Sequence, residues 1–146
     1  MRSIWGWCDM PRITSIQIEW FDSGLHSEED ISHEKVIVYR NKGVVKSILY
    51  RMMEEEAREY RLEASSCLRL FELMEQADAQ GVLDNDYREF VCDGWGWKWQ
   101  VRYSGNRIKA TWGTVSFPPF GVEVQSILQA SAKAEKIAPL PKVFGC

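Results

Sequence analysis

The stretch Cys92–Trp112, CDGWGWKWQVRYSGNRIKATW, decides how this chain folds. Trp95, Trp97 and Trp99 fall at every second position, the period of a strand whose alternate side chains share one face. Val101 and Tyr103 continue the alternation, and the Gly105-Asn106 pair that follows is a good two-residue hairpin turn. With those two residues as the loop, Tyr103 faces Ile108, Val101 faces Ala110 and Trp99 faces Trp112. All six then form one apolar face, so Trp99 and Trp112 are expected in the core.

The opposite face is then Lys98, Gln100, Arg102, Arg107, Lys109 and Thr111. Arg102 lies across from Lys109, a like-charge pair that costs a few tenths of a kcal/mol. The only charged residues from Gly94 to Val122 are Lys98, Arg102, Arg107 and Lys109, all basic. From Ile13 to Glu34 the charged residues are Glu19, Asp22, Glu28, Glu29, Asp30 and Glu34, all acidic. A strand carrying Gln17 and Glu19 beside the hairpin would neutralise the basic face. Failing that, the basic face meets an anionic ligand or an acidic partner surface.

Outward from the hairpin, Ile16, Ile18 and Trp20 alternate with Gln17 and Glu19, which predicts a half-buried strand over 13–21. An acidic, turn-rich connection follows. Val36–Tyr39 and Val44–Met52 flank Asn41-Lys42-Gly43 and read as a second hairpin, its loop two or three residues long. The charged run 53–63 reads equally as a frayed strand end or a helical turn, with Glu54 and Arg58 at i,i+4 spacing. Ser65 or Ser66 is a plausible N-cap and Gly81 a stop for an amphipathic helix through Leu68, Leu70, Phe71, Met74 and Ala77. After Pro118-Pro119 a second helix runs through Val124, Ile127, Leu128 and Ser131 to about residue 137. The order β-ββ-α-ββ-α predicts an α+β fold: an antiparallel sheet of about five strands with two helices packed on one face.

At 146 residues, 45% hydrophobic and 27% charged, the chain has the size and composition of one globular domain, 1–146. A Trp-rich segment (1–12) and an extended tail (139–146) are appendages to it. The net charge of −3 argues for neither a nucleic-acid nor a membrane partner. The N-terminus lacks the apolar core of a secretory signal, and no apolar run is long enough to span a bilayer. Cys8, Cys67, Cys92 and Cys146 form no C-x-x-C pair, so reduced thiols in a cytoplasmic protein are expected.

No catalytic or metal-binding constellation emerges, and no cofactor is implied. Cys92 sits beside Asp93 with no base in sequence reach, and reads as structural. His26, His33 and the scattered cysteines lack zinc-ligand spacing. Asp84-Asn85-Asp86 begins like a calcium loop, but Arg88 and Glu89 break the pattern. Glu28-Glu29-Asp30 and Glu54-Glu55-Glu56 read as solvated charge runs, and Gly94-Trp95-Gly96 opens a strand where a phosphate loop would open a helix.

What remains are candidate binding residues: Trp5, Trp7, Trp95 and Trp97, which form an indole cluster if WGWCD (5–9) docks on the hairpin, and the basic Lys98, Arg102, Arg107 and Lys109. The expectation is a non-enzymatic interaction protein that binds another macromolecule, a protein rather than a nucleic acid, through a sheet face or Trp-rich edge. Nucleic acid is set aside because the register separates aromatic from basic residues, and a base needs both on one face. The alternative is a small-molecule-binding protein or enzyme with a Trp-lined pocket between sheet and helices. In size and style the chain resembles small bacterial or prophage-encoded accessory proteins, toxin-immunity proteins among them. That likeness is one of general appearance and carries no functional residue over.

Overall fold

Among the described residues six strands and two α-helices follow one another: β1 Ile13–Asp22, β2 His33–Tyr39, β3 Val44–Arg51, β4 Glu54–Arg61, α1 Ala64–Ala79, β5 Trp95–Tyr103, β6 Ile108–Thr114 and α2 Gly121–Ala134. The computed structural model describes residues 12–22, 31–52, 54–88, 95–114 and 120–136. Trp5, Trp7, Cys92, nearly all of the acidic connection after β1 and the C-terminal tail lie outside those residues. Every strand pair is antiparallel, in the order β4-β3-β2-β1-β5-β6. The α+β class therefore holds, with six strands in place of about five.

The sixth strand is β4, EEEAREYR, from the run that sequence left undecided. Its residues favour helix intrinsically, yet it pairs along its whole length with β3, from Val44↔Arg61 to Arg51↔Glu54. Tertiary pairing outweighs a weak local preference here. Tyr60 and Arg58 turn toward the core side, and Glu54 to Glu56 stay exposed along an edge strand. The β2–β3 loop spans Arg40–Gly43, one residue longer than the longer of the two expected loops, and Gly43 closes it with φ +59°. Helix α1 begins at Ala64, ahead of both candidate serine caps, and Gly81 follows its end at φ +76°.

The decisive hairpin departs from its expected register. Tyr103 N–H donates to the Arg107 carbonyl (2.8 Å) and Asn106 N–H to the Tyr103 carbonyl (3.1 Å), so the loop is Ser104-Gly105-Asn106. Gly105 and Asn106 both sit at positive φ, +86° and +67°, which glycine and asparagine tolerate best. The extra loop residue slides β6 by one position. Trp99 pairs with Thr111, Lys98 with Trp112 and Arg102 with Ile108. Since side chains alternate, the slip moves all of β6 to the other face. Neither the Trp99–Trp112 pair nor the Arg102–Lys109 clash forms. Packing explains the choice: Trp97 pairs with Gly113, and a Cβ there would fall inside the Trp97 indole.

One face of the sheet carries the core. Ile16, Ile18, Val36, Val38, Val45, Trp97, Trp99 and Val101 pack with Leu70, Phe71 and Met74 of α1 and Val124, Leu128 and Ala132 of α2. Trp99 meets Phe120 edge-on, ring centroids 4.6 Å apart. The same face holds a buried charge. Glu34, 1% exposed, accepts hydrogen bonds from Trp20 Nε1 and Ser47 Oγ, each 2.8 Å, and lies 3.7 Å from Arg58 Nη2.

Candidate functional site: the open sheet face

Directly paired residues share a face, so the registers map the side of the sheet away from the core. One row across β1, β2 and β3 is Phe21, His33 and Tyr50. The next runs Trp112, Lys98, Glu19, Lys35 and Ile48. A third runs Ala110, Gln100, Gln17, Ile37 and Lys46, and the fourth Ile108, Arg102, Ser15, Tyr39 and Val44. Phe21 (43%), Ile108 (46%) and Trp112 (37%) are large apolar residues left exposed on this face.

Aromatic rings and cations are interleaved across it. Lys98 Nζ and the Arg88 guanidinium lie 5.6 and 5.7 Å from the Trp112 ring centre. Lys42 and Lys46 approach the Tyr39 ring at 4.7 and 5.7 Å, within cation–π range. His33 stacks on Tyr50 at 4.7 Å, and burial lowers its pKa against the opposing pull of Glu19. β1 does lie beside the hairpin, with Glu19 across from Lys98 in the register, but the ion pair Glu19 forms is with Lys35 of β2 at 3.6 Å.

A cleft opens where β1 bulges. The register of β1 on β5 skips between Ile13 and Ser15, leaving Thr14 as the extra residue, and such bulges redirect neighbouring side chains. Arg12, Ser15, Tyr39, Arg40, Asn41 and Arg102 border a cleft of about 320 Å³ there. A dimple of about 90 Å³ continues it onto the open face between Tyr39 and Arg102, bordered also by Gln17 and Gln100. A broader groove of about 620 Å³ extends it past Lys42 and Arg61 toward α1. Arg40 is fixed: its Nη1 donates to Glu75 Oε2 (2.8 Å) and to the Ile13 carbonyl (3.0 Å). Among the described residues, neither the Arg12 nor the Arg102 guanidinium has a carboxylate partner.

The expected site residues divide sharply. Lys98 and Arg102 are on the open face. Arg107 is exposed at the turn, its guanidinium 4.5 Å from the Tyr103 ring centre. Lys109 is on the other face: its Nζ bonds Asp78 (2.7 Å) and Asp84 (2.9 Å), an anchor between β6 and the end of α1. Trp97 is a core residue with no exposed surface, packed beside Tyr87 at 5.9 Å. The backbone of Trp95 pairs with Asp22. Sequence reasoning missed Arg12, Ser15, Gln17, Tyr39 and Arg40 as site residues; the available signal was the polar phase of β1 and β2.

The register also removes the ground on which nucleic acid was set aside, because Trp112 and Tyr39 share a face with Lys98 and Arg102. Trp97 and Trp99, two of the tryptophans that the alternative reading would line a pocket with, are buried in the core, and none of the clefts above is bordered by a tryptophan. Among the described residues no helix is long and apolar enough to cross a membrane. Comparison with known proteins finds neither a matching family model nor a matching curated relative.

Proposed function

We propose that this chain is a non-enzymatic binding protein whose open sheet face engages another macromolecule. The observation that carries the reading is a sheet face on which no described helix packs, where Phe21, Ile108 and Trp112 stand exposed among Lys98, Arg102 and Tyr39. Exposed apolar and aromatic residues interleaved with charge suit a partner surface better than solvent. Among the described residues, three reactive groups of the core side are committed to structural contacts or held unreactive, which supports a binding role over a catalytic one. Glu34 is held by Trp20 and Ser47, Asp78 by Tyr103 and Lys109, and burial pushes the Cys67 thiol up, away from a nucleophilic thiolate.

Affinity capture from the native cell tests this with three baits: the wild-type chain, a Trp112→Ala/Lys98→Glu variant, and a control carrying Val122→Ser on α2. The wild type and control should retain the same partners and the open-face variant should lose them. Identical capture by all three overturns the reading.

A further inference from the structure

We infer that the open face binds single-stranded nucleic acid, with the Tyr39–Arg102 dimple as the seat of one base and the flanking arginines as phosphate contacts. This rests on the open-face reading and names its partner. Across row four, Tyr39 and Arg102 flank Ser15, whose small side chain leaves the floor between them low. An aromatic ring and a guanidinium are the two side-chain planes on which a base stacks. Gln17 and Gln100 border the same dimple, and an amide offers both donor and acceptor to a base edge.

The charge continues from the dimple. Arg12 borders the cleft beside Arg102, and Lys42 and Arg61 lie along the adjoining groove, which shares Arg12, Arg40 and Asn41 with that cleft. Positive charge is thus laid out over more than one nucleotide's length, which favours a strand over a free nucleotide. Glu75 compensates only Arg40. On the far side of the dimple, Trp112 with Lys98 and Arg88 repeats the pairing of ring and cation. A duplex hides its base faces, and only an unpaired strand can use both rings.

Fluorescence anisotropy with labelled 15-nucleotide oligo-dT and oligo-rU, on the full chain at about 50 mM salt, provides the test. Binding should saturate and weaken with salt, log K falling against log salt with a slope of roughly −2 to −3 for three or four contacts. Tyr39→Ala should weaken binding at least about fivefold, while Tyr39→Phe, which keeps the ring, retains it. Arg102→Ala should weaken binding and flatten the salt slope by about 0.7; Arg102 is exposed, so this variant tests the site even if Tyr39→Ala fails to fold. Polyglutamate, dTMP and a duplex of the same length should compete poorly.

The inference is overturned by absence of saturable binding, or by Arg102→Ala and Tyr39→Ala affinities equal to wild type. Equal competition by polyglutamate overturns it in favour of an acidic protein segment, and equal competition by dTMP in favour of a free nucleotide. If the oligonucleotides fail while Trp112→Ala/Lys98→Glu still loses its captured partners, only this inference falls and the open-face reading stands.

Discussion

Trp99 and Trp112 lie on the two arms of one hairpin and face opposite sides of the sheet: Trp99 has no exposed surface, and Trp112 keeps 37% of its own. The two residues therefore answer differently to the same substitution. Trp99→Ala removes a core indole and should cost about 3–5 kcal/mol, whereas Trp112→Ala should cost less than about 1 kcal/mol. Denaturant midpoints of the two variants check this. Equal losses would place both indoles on one face and refute the register.

Gly113 sits under the Trp97 indole, with no room for a Cβ. Gly113→Ala should destabilise by about 1–3 kcal/mol through overpacking. The Gly113→Ala/Trp97→Phe double variant should lose less than the two single changes summed, because the smaller ring frees the space that Cβ needs. Additive losses would mean that the two sites do not touch.

Glu34 and Arg58 form a pair on the covered side of β2 and β4, 1% and 7% exposed at the side chain. Glu34→Ala withdraws one partner of Arg58 and an acceptor of Trp20 and Ser47. A loss of about 3–5 kcal/mol is expected. Glu34→Leu with Arg58→Met should recover part of it, since an apolar pair carries no desolvation cost. Failure of the double variant to improve on Glu34→Ala would show that hydrogen bonds, rather than the charge pair, hold this end of the sheet.

The Asp78 cluster gives stability a pH dependence of defined sign. Burial pushes the Asp78 carboxyl up, but hydrogen bonds from Lys109 and Tyr103 outweigh it and hold the pKa below the ordinary 3.8. That stabilisation is present above pH 3.8 and is lost as pH falls through the lower folded value. Asp78 and Asp84 hold Lys109 above 10.5, and burial together with Asp78 raises Tyr103 above 10.0. These contributions are complete below pH 10.0 and are lost as pH rises through the folded values. The stability difference between wild type and Lys109→Met should therefore be flat from about pH 5 to 9 and shrink on either side. A difference that stays constant at both extremes would remove the cluster from the account.

Much of the fold was legible in the residues because their periods are unambiguous. Ile16, Ile18 and Trp20 alternate cleanly, and Phe71, Met74 and Ala77 mark a helix that Gly81 ends. Loop lengths were not legible. Gly105-Asn106 suits a two-residue turn by composition, and only the fit of Trp97 over Gly113 admits Ser104 to the loop. β4 was hidden because its glutamates, alanine and arginines carry a helical preference that pairing with β3 overrides.

The site was less legible for the same reason: it joins residues from different strands through registers that no single strand encodes. Lys98 and Arg102 share the open face as their alternation in β5 implied. Tyr39, Ser15 and Gln17 were passed over as the polar phase of ordinary strands. Glu34 did leave a sign, a charged residue in phase with Val36 and Val38 on the covered face. A carboxylate in that phase announces a buried partner, and Ser47 and Arg58 occupy the matching phase of β3 and β4.

The three-residue turn at Ser104-Gly105-Asn106 has an evolutionary corollary. Which side of the sheet β6 shows is set by the glycine beneath the Trp97 indole, and the length of the turn follows from it. Loss of a single codon within the turn would leave a two-residue loop and the same pairing of Tyr103 with Arg107, so both faces of β6 would be kept. The surface made by Ile108, Ala110 and Trp112 thus tolerates a one-residue deletion in the turn and is vulnerable instead to any side chain gained at Gly113.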